Sequence, residues 1–318
     1  MELPILLKEK LEQEIDEIEL KKLKQSAQNI SEKYRDKSSN KMRTRLIASR
    51  EDAVAYAVSR MPATYGAVYS ALKHSLEMMP NAEITSLLDV GAGTGTATWA
   101  VNELLKIESN VCVENEDYML NLGQKLMKNE IDNVQWIKKN IITDNIEEKA
   151  DLVISSYVLN EIKSENRNQI LEKLWNSTGK LLLIIEPGTQ EGYNQIKEIR
   201  DYFIKKGANI VAPCAHEKEC KISKNDWCAF SCRVARTKVH KLLKEGEAPY
   251  EDEKFSYIAV SKMKTAKKDR ILRHPKIENG RITLKLCTTE GDIEEKTITK
   301  KEKEKFKIVK KLNNGDIL

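Results

Sequence analysis

Apolar positions recur with a helical period through the first part of the chain. Over residues 5–35, Leu11, Ile15, Ile18 and Leu23 fall among charged neighbours at the spacing of one helix face. Ser38-Ser39-Asn40 interrupts that pattern. A second helix is predicted near residues 44–60 and stops at Met61-Pro62, because proline brings no donor to a helix interior. A third covers residues 65–78 and ends at Pro80-Asn81. The period then changes. Residues 86–90 (Ser-Leu-Leu-Asp-Val) form the first convincing strand, with a helix over 97–106. Further strands at 111–113, 134–137, 150–156 and 180–185 alternate with helices around 119–128 and 167–175. Leu181 to Ile185 is apolar throughout, as a strand covered on both faces should be. This alternation predicts an α/β fold with a parallel, doubly wound sheet.

After Ile210 the character changes. A helix is predicted over about 226–244 and a strand region over 250–261. Short alternating runs follow at 282–286, 293–298 and 306–309, separated by Asn279-Gly280, Glu290-Gly291 and Asn314-Gly315, which are hairpin signals. The expected organisation is a helical region (1–80), a Rossmann-like core (81–205), a segment with a cysteine loop, a basic helix and a strand (206–260), and a basic antiparallel β module (261–318).

Composition adds three constraints. With 318 residues, 40% hydrophobic and 32% charged, the chain is an ordinary globular protein. No apolar run approaches the ~20 residues that cross a bilayer, so no membrane partner is expected. The start, Met1-Glu2-Leu3-Pro4, has neither a secretory signal nor the Arg-rich character of a transit peptide, and the cytoplasm is the default compartment. The net charge of +5 is uneven: over residues 262–318, 17 Lys and Arg stand against 9 Asp and Glu. A basic tail on a near-neutral body suggests a polyanionic partner, RNA or DNA, bound by a monomer. On the helix predicted after Cys228, Arg233, Arg236, His240 and Lys244 share one face, with Ala235, Val239 and Leu242 on another. Such a stripe suits phosphates.

Two motifs carry chemistry. Asp89-x-Gly91-x-Gly93-x-Gly95 follows a strand and opens a helix, the setting a nucleotide loop requires. Its spacing departs from that of dinucleotide enzymes and resembles the first motif of class I S-adenosylmethionine-dependent methyltransferases, in which the loop amides and the acidic residue face the amino-acid end of the cofactor. Glu114 closes the second strand, where a carboxylate takes ribose hydroxyls, with Glu116 and Asp117 as alternatives. Asn140 and the segment Ser155-Ser156-Tyr157, with Ser156 as the candidate ligand, lie where adenine and methionine contacts form. The second motif is Cys214-Ala-His-Glu-Lys-Glu-Cys220 with Cys228, spaced C-x5-C-x7-C amid polar residues. Soft-metal ligation is the leading reading, ahead of a disulfide or a chance cluster of small core residues. Cys112, inside a strand, is structural, and His216 is a solvated loop residue.

The segments Gly207–Cys220, Asn225-Asp-Trp-Cys228-Ala-Phe-Ser, Arg233-Val-Ala-Arg236, Pro249-Tyr-Glu-Asp-Glu-Lys-Phe-Ser-Tyr257, Glu186-Pro-Gly-Thr189 and Ser59-Arg60-Met61-Pro62-Ala63-Thr64-Tyr65 resemble a methyltransferase-like small-ribosomal-subunit family. The likeness covers roughly residues 45–318. It implies S-adenosylmethionine binding, small-subunit rRNA as partner with ribosomal proteins beside it, and a four-cysteine [4Fe–4S] centre, with zinc as the alternative. By motif, Cys214, Cys220 and Cys228 match three ligands and Cys287 the fourth, with Cys232 the local competitor. No Asn-Pro-Pro-Tyr or Asp-Pro-Pro-Tyr follows the fourth strand, where Ser155–Glu161 stands instead, and no catalytic residue is assigned. Pro213-Cys214 is similar to the Pro-Cys of cytosine-C5 enzymes, but that sulfur is better explained as a ligand. Two functions remain: an active rRNA methyltransferase, and an assembly factor that binds cofactor and rRNA without modifying it.

Overall fold

The computed structural model describes residues 1–35, 47–223, 225–244 and 246–318. The break at Ser38-Ser39-Asn40 and the start of the second predicted helix lie outside them. In chain order the elements are α1 (Ile5–Asp16), α2 (Leu20–Arg35), α3 (Arg50–Leu76), β1 (Ser86–Val90), α4 (Thr96–Leu104), β2 (Ser109–Glu114), α5 (Asp117–Met127), β3 (Val134–Lys138) and β4 (Ala150–Ser156). A 3₁₀ turn (Leu159–Glu161), α6 (Ser164–Ser177), β5 (Thr178–Pro187), α7 (Gln190–Lys205), β6 (Asn209–Ala212), β7 (Phe230–Ala235), α8 (Lys238–Leu243) and β8 (Tyr250–Ser261) follow. The chain closes with β9 (Arg270–Ile271), β10 (Lys276–Glu278), β11 (Arg281–Cys287), β12 (Ile293–Thr299) and α9 (Lys303–Val309). The fold is α/β, parallel strands joined by helical crossovers, with an antiparallel C-terminal sheet.

Two compact units divide the chain. The first holds Met1–Tyr69, Thr85–Glu148 and Cys232–Glu253. Its strands β1, β2 and β3 are parallel, with Asp89 opposite Cys112 and Cys112 opposite Trp136. Parallel neighbours cannot be joined by a tight turn, and α4 and α5 make the crossovers. The helix predicted to stop at Pro62 does not: α3 runs through it. A proline inside a helix costs about 3 kcal/mol, but Val58, Met61, Ala63 and Tyr65 around it are all buried. At roughly 1.5–3 kcal/mol for each large apolar side chain, that packing outweighs the break. Gly66 lets α3 approach β7, since a Cβ there would sit 2.6 Å from Val234 and 2.8 Å from the Cys232 sulfur.

The second unit holds Ser70–Ile84, Lys149–Ser231 and Lys254–Leu318. Its strands β4 and β5 pair in parallel, whereas β8 lies antiparallel between β5 and β6. Leu181 to Ile185 are fully buried, as their apolar run requires. A second sheet has β11 between β10 and β12, all antiparallel, with β9 also on β11. Ile282, Leu284 and Leu286 alternate inward on β11 and join Ile271, Ile298 and Val309 in one core. The turns at Asn279-Gly280 and Glu290-Gly291 are the hairpins expected.

Two element predictions are corrected. Residues 306–309 belong to α9 rather than a strand, and Asn314-Gly315 is not a hairpin turn. Phe306 and Val309 stand three apart, so a helix lays both on the sheet's apolar side, which an alternating strand could not do, and Leu312 packs there from beyond the helix end. The helix over 226–244 is instead the strand β7 followed by the short α8. Buried Phe230 and Val234 stand four apart, a spacing that suits one helix face and one strand face equally, so the local signal could not choose.

Candidate functional site

The glycine loop lies in the first unit. Gly91, Gly93 and Gly95 have φ of 73°, 57° and 78°, a region that side chains avoid, which is why the turn from β1 into α4 is written in glycine. Trp136 and Met127 pack against Gly95, and the Trp136 ring also lies against Gly123. Glu114, at the end of β2, holds the loop from below. Its Oε2 accepts the Gly93 N–H at 2.7 Å, and its Oε1 accepts Asn115 N–H at 2.7 Å and Glu116 N–H at 2.8 Å. A carboxylate has about four acceptor positions, and these three bonds leave one of them. Burial raises the Glu114 carboxyl, and these N–H groups pull it back down.

Asp89 does not line an open cleft. It is fully buried, and its Oδ2 accepts both the Thr98 N–H (3.2 Å) and the Thr98 hydroxyl (2.9 Å). The carboxylate therefore braces the first turns of α4, where backbone amides favour negative charge. Burial pushes it up to about 7, and its Oδ1 has no hydrogen-bond partner. The Cys112 sulfur sits 3.2 Å from the Thr98 hydroxyl, inside the same packing. Asn140 uses its side-chain oxygen on the Ile142 N–H at 2.9 Å, closing its own turn. Ser156 ends β4, in the second unit. Nearby, Glu186 ends the apolar run of β5, and its Oε1 accepts the Leu159 N–H at 2.9 Å. Burial lifts Glu186 to about 8 and leaves its Oε2 unpartnered.

The second unit gathers cysteines from four places in the sequence. Cys214, Cys220, Cys228 and Cys287 line one cavity with Tyr193, Arg200 and His216. None of the six cysteines is joined in a disulfide. Cys232 is not among the lining residues; it sits on β7 against α3. His216 is buried on the cavity wall rather than solvated, because Arg200 fastens its carbonyl inward. The thiols feel one another: burial raises Cys228, and Cys214, Cys287 and Cys220 add to the shift. Burial likewise pushes Cys287 up to about 12. Tyr193 places its hydroxyl 3.4 Å from the Cys220 sulfur. Among the described residues, no three His, Cys, Asp or Glu side chains are drawn together as the ligands of a single ion. The donor set, four soft sulfurs around a cavity, suits a sulfur-bridged iron centre, which sets its ligands wider apart than one ion does.

The four basic candidates occupy no common helix face. Arg233 lies on β7, 59% exposed, paired with Asp252 at 2.8 and 3.0 Å and stacked 4.1 Å above the Tyr250 ring. Arg236 and Lys244 both bond to Glu251, at 2.7 and 2.9 Å. His240 is fully buried 3.5 Å from the same carboxylate, and burial lowers it to about 4, so it is neutral at physiological pH.

Two folded features now define the class: a methyltransferase-type glycine loop clamped by the acid of the next strand, and a cavity walled by four thiols. The family model for the mitochondrial small ribosomal subunit protein Rsm22 matches residues 50–318, and this chain belongs to that family. The human mitochondrial ribosome assembly protein METTL17 is 25% identical over 267 residues, covering 78% of this chain and 58% of the relative. A mitochondrial Rsm22-cox11 tandem protein of Schizosaccharomyces pombe is 26% identical over 217 residues, covering 61% of this chain and 28% of the relative. The chain thus spans little more than half of the first relative and under a third of the second. Among solved structures, magnesium protoporphyrin IX methyltransferase of Synechocystis PCC 6803 with bound SAM aligns at a TM-score of 0.42 and 10% identity, over 73% of this chain and 91% of that one. The cytoplasmic expectation is overturned: the family and these relatives are mitochondrial. That default rested on a missing signal, which carries no address of its own. No helix among the described residues is long and apolar enough to cross a membrane.

Several side chains at these sites could not be picked out from the residue pattern. Arg200 reads as one more charge on a helix, and Arg270 as part of the run Lys267-Lys268-Asp269-Arg270. Trp136 showed only as a strand residue.

Proposed function

We propose that this protein is a small-subunit assembly factor of the mitochondrial ribosome that binds S-adenosylmethionine and rRNA and carries a [4Fe–4S] centre on Cys214, Cys220, Cys228 and Cys287. The observation that carries the reading is the meeting of these four thiols at one cavity, which joins the loop after β6 to the C-terminal sheet. When bound, the centre would supply a cross-link between those segments. Cofactor binding falls to the amides of Gly91, Gly93 and Gly95 and to the remaining acceptor position of Glu114, with Asp89 bracing the loop from inside. Asn140 and Ser156 are its further candidates. Arg233, exposed and stacked on Tyr250, is the basic residue assigned to RNA, whereas Arg236, Lys244 and His240 shape the surface beneath it. Assembly is preferred to catalysis because METTL17 is itself described as an assembly protein.

Two measurements test this. Anaerobically purified protein is expected to be brown and to carry iron and sulfide in equal amounts. Cys220→Ser should bleach it and loosen the C-terminal sheet to proteolysis, whereas colourless protein with stoichiometric zinc would refute the iron assignment. Methylated nucleotides of small-subunit rRNA, mapped by mass spectrometry with and without the gene, should be unchanged while subunit precursors accumulate. A modification that is lost, then restored by wild type but not by Gly93→Arg, would establish the methyltransferase instead.

A further inference from the structure

Two arginines lie deep in the second unit, where this side chain is almost never found unless paired. Arg200, on α7, is 3% exposed and Arg270, on β9, is 1% exposed. Arg200 meets one carboxylate, Asp201 at 2.9 Å, which is itself half exposed. Its other bonds go to the carbonyls of His216 (3.1 Å) and Lys218 (2.6 Å), and its Nε has no partner. Arg270 makes no ion pair among the described residues. Its Nε donates to the Pro213 carbonyl at 3.2 Å and one terminal nitrogen donates to the Gly315 carbonyl at 2.7 Å. A buried guanidinium that has no counter-charge, or only a half-exposed one, costs several kcal/mol, so a fold that keeps two must compensate them nearby.

Both converge on the cysteines. Arg200 lines the thiol cavity and fastens the loop between Cys214 and Cys220. Arg270 stands directly opposite Cys287 in the β9–β11 pairing and grips the residue before Cys214. A four-thiolate centre is anionic, because four thiolate charges exceed the positive charge of an oxidised cubane core or a zinc ion. We infer that Arg200 and Arg270 are the counter-charges of the centre held by Cys214, Cys220, Cys228 and Cys287, positioning residues that set how firmly it is retained and how readily it is reduced. This inference rests on the four-cysteine reading above and adds the residues that make it tolerable inside the protein.

Glutamine separates charge from shape, since its amide can still donate to the same carbonyls, while lysine keeps the charge without the fork. The full chain would be purified anaerobically as wild type, Arg200→Gln, Arg270→Gln and the two lysine variants. Iron and sulfide content, the rate of bleaching in excess chelator and the midpoint potential would be measured, with urea unfolding of the metal-free forms. Each glutamine variant is expected to lose the centre at least tenfold faster. Its one-electron reduction equilibrium should shift at least tenfold toward the oxidised form, about 59 mV lower. The lysine variants should fall near wild type, and the metal-free glutamine variants should be no less stable than metal-free wild type. A purely structural role would instead weaken the metal-free protein and leave the potential unmoved. Should Arg270→Gln fail to fold, Arg200→Gln carries the same test. Loaded glutamine variants with wild-type retention and potential would overturn this inference alone. A wild-type protein free of iron, sulfide and zinc would overturn the four-cysteine reading and the inference with it.

Discussion

Replacing Glu114 by glutamine isolates the contact that holds the glycine loop. In the native site the carboxylate serves three N–H groups at once: Gly93 from one oxygen, Asn115 and Glu116 from the other. The amide oxygen of glutamine can keep the pair from Asn115 and Glu116. Its NH₂ then faces the Gly93 N–H, donor against donor, where a 2.7 Å bond stood. Losing a hydrogen bond to a charged acceptor costs about 1.5–3 kcal/mol. Because Glu114 is half-buried, the lower part of that range applies, about 1.5–2 kcal/mol. Urea unfolding followed by far-UV circular dichroism should show a lower midpoint with an unchanged slope, since the exposed surface on unfolding stays the same. Isothermal titration with S-adenosylmethionine should show affinity weakened about tenfold, because the loop must be ordered at the expense of binding. A variant with the wild-type midpoint and affinity would refute the claim that this carboxylate holds the loop. Lower stability with unchanged affinity would place the cofactor elsewhere.

Three further outcomes follow from single contacts. Asp89 titrates near 7 in the folded chain against an ordinary 3.8, so between those values the folded state holds the extra proton and stability falls as pH rises across that window. Asp89→Asn keeps an acceptor for Thr98 and should flatten this slope in urea midpoints taken from pH 4 to 8, only in part because Glu186, near 8, has the same sign; an unaltered slope would show that Asp89 does not cause it. Gly315 has φ of 91° and a Cβ there would collide with the buried His74 ring, so Gly315→Ala should cost about 2–4 kcal/mol in denaturation, and a silent substitution would mean the segment swings aside. Glu251→Gln removes the shared partner of Arg236 and Lys244 and should cost about 2 kcal/mol while raising affinity for an rRNA fragment, as the cations are freed; lower RNA affinity would mean that the carboxylate shapes the RNA surface itself.

The parallel strands and crossover helices were legible because each is long, periodic and locally self-consistent. The glycine loop was legible for a different reason: left-handed backbone leaves few residue choices. What escaped the sequence was decided by partners far along the chain. Phe230 and Val234 fit a helix face until β7 finds its place. Pro62 ends a helix unless both sides are buried. His240 reads as a cation until its burial makes it neutral.

Charge is where sequence and structure part most clearly. The surplus of positive charge in residues 262–318 suggested a polyanion-binding face, which assumes that every cation reaches solvent. Arg270 does not: it is buried opposite Cys287. Arg273 and Lys285 spend their charge on Asp226, at 2.6 and 2.7 Å, fastening the segment just before Cys228 to β11 and to the stretch that follows β9. At least three of the counted charges are thus spent at the cysteine cavity or its supports. On the four-cysteine reading proposed above, a basic tail arises from the need to neutralise an anionic centre within the protein as well as from the need to meet RNA outside it. The two causes are separable by salt: contact with RNA weakens steeply as ionic strength rises, whereas neutralisation of a buried centre is barely screened. Retention of the centre should accordingly be unchanged between low and physiological salt, under conditions where rRNA affinity falls at least tenfold.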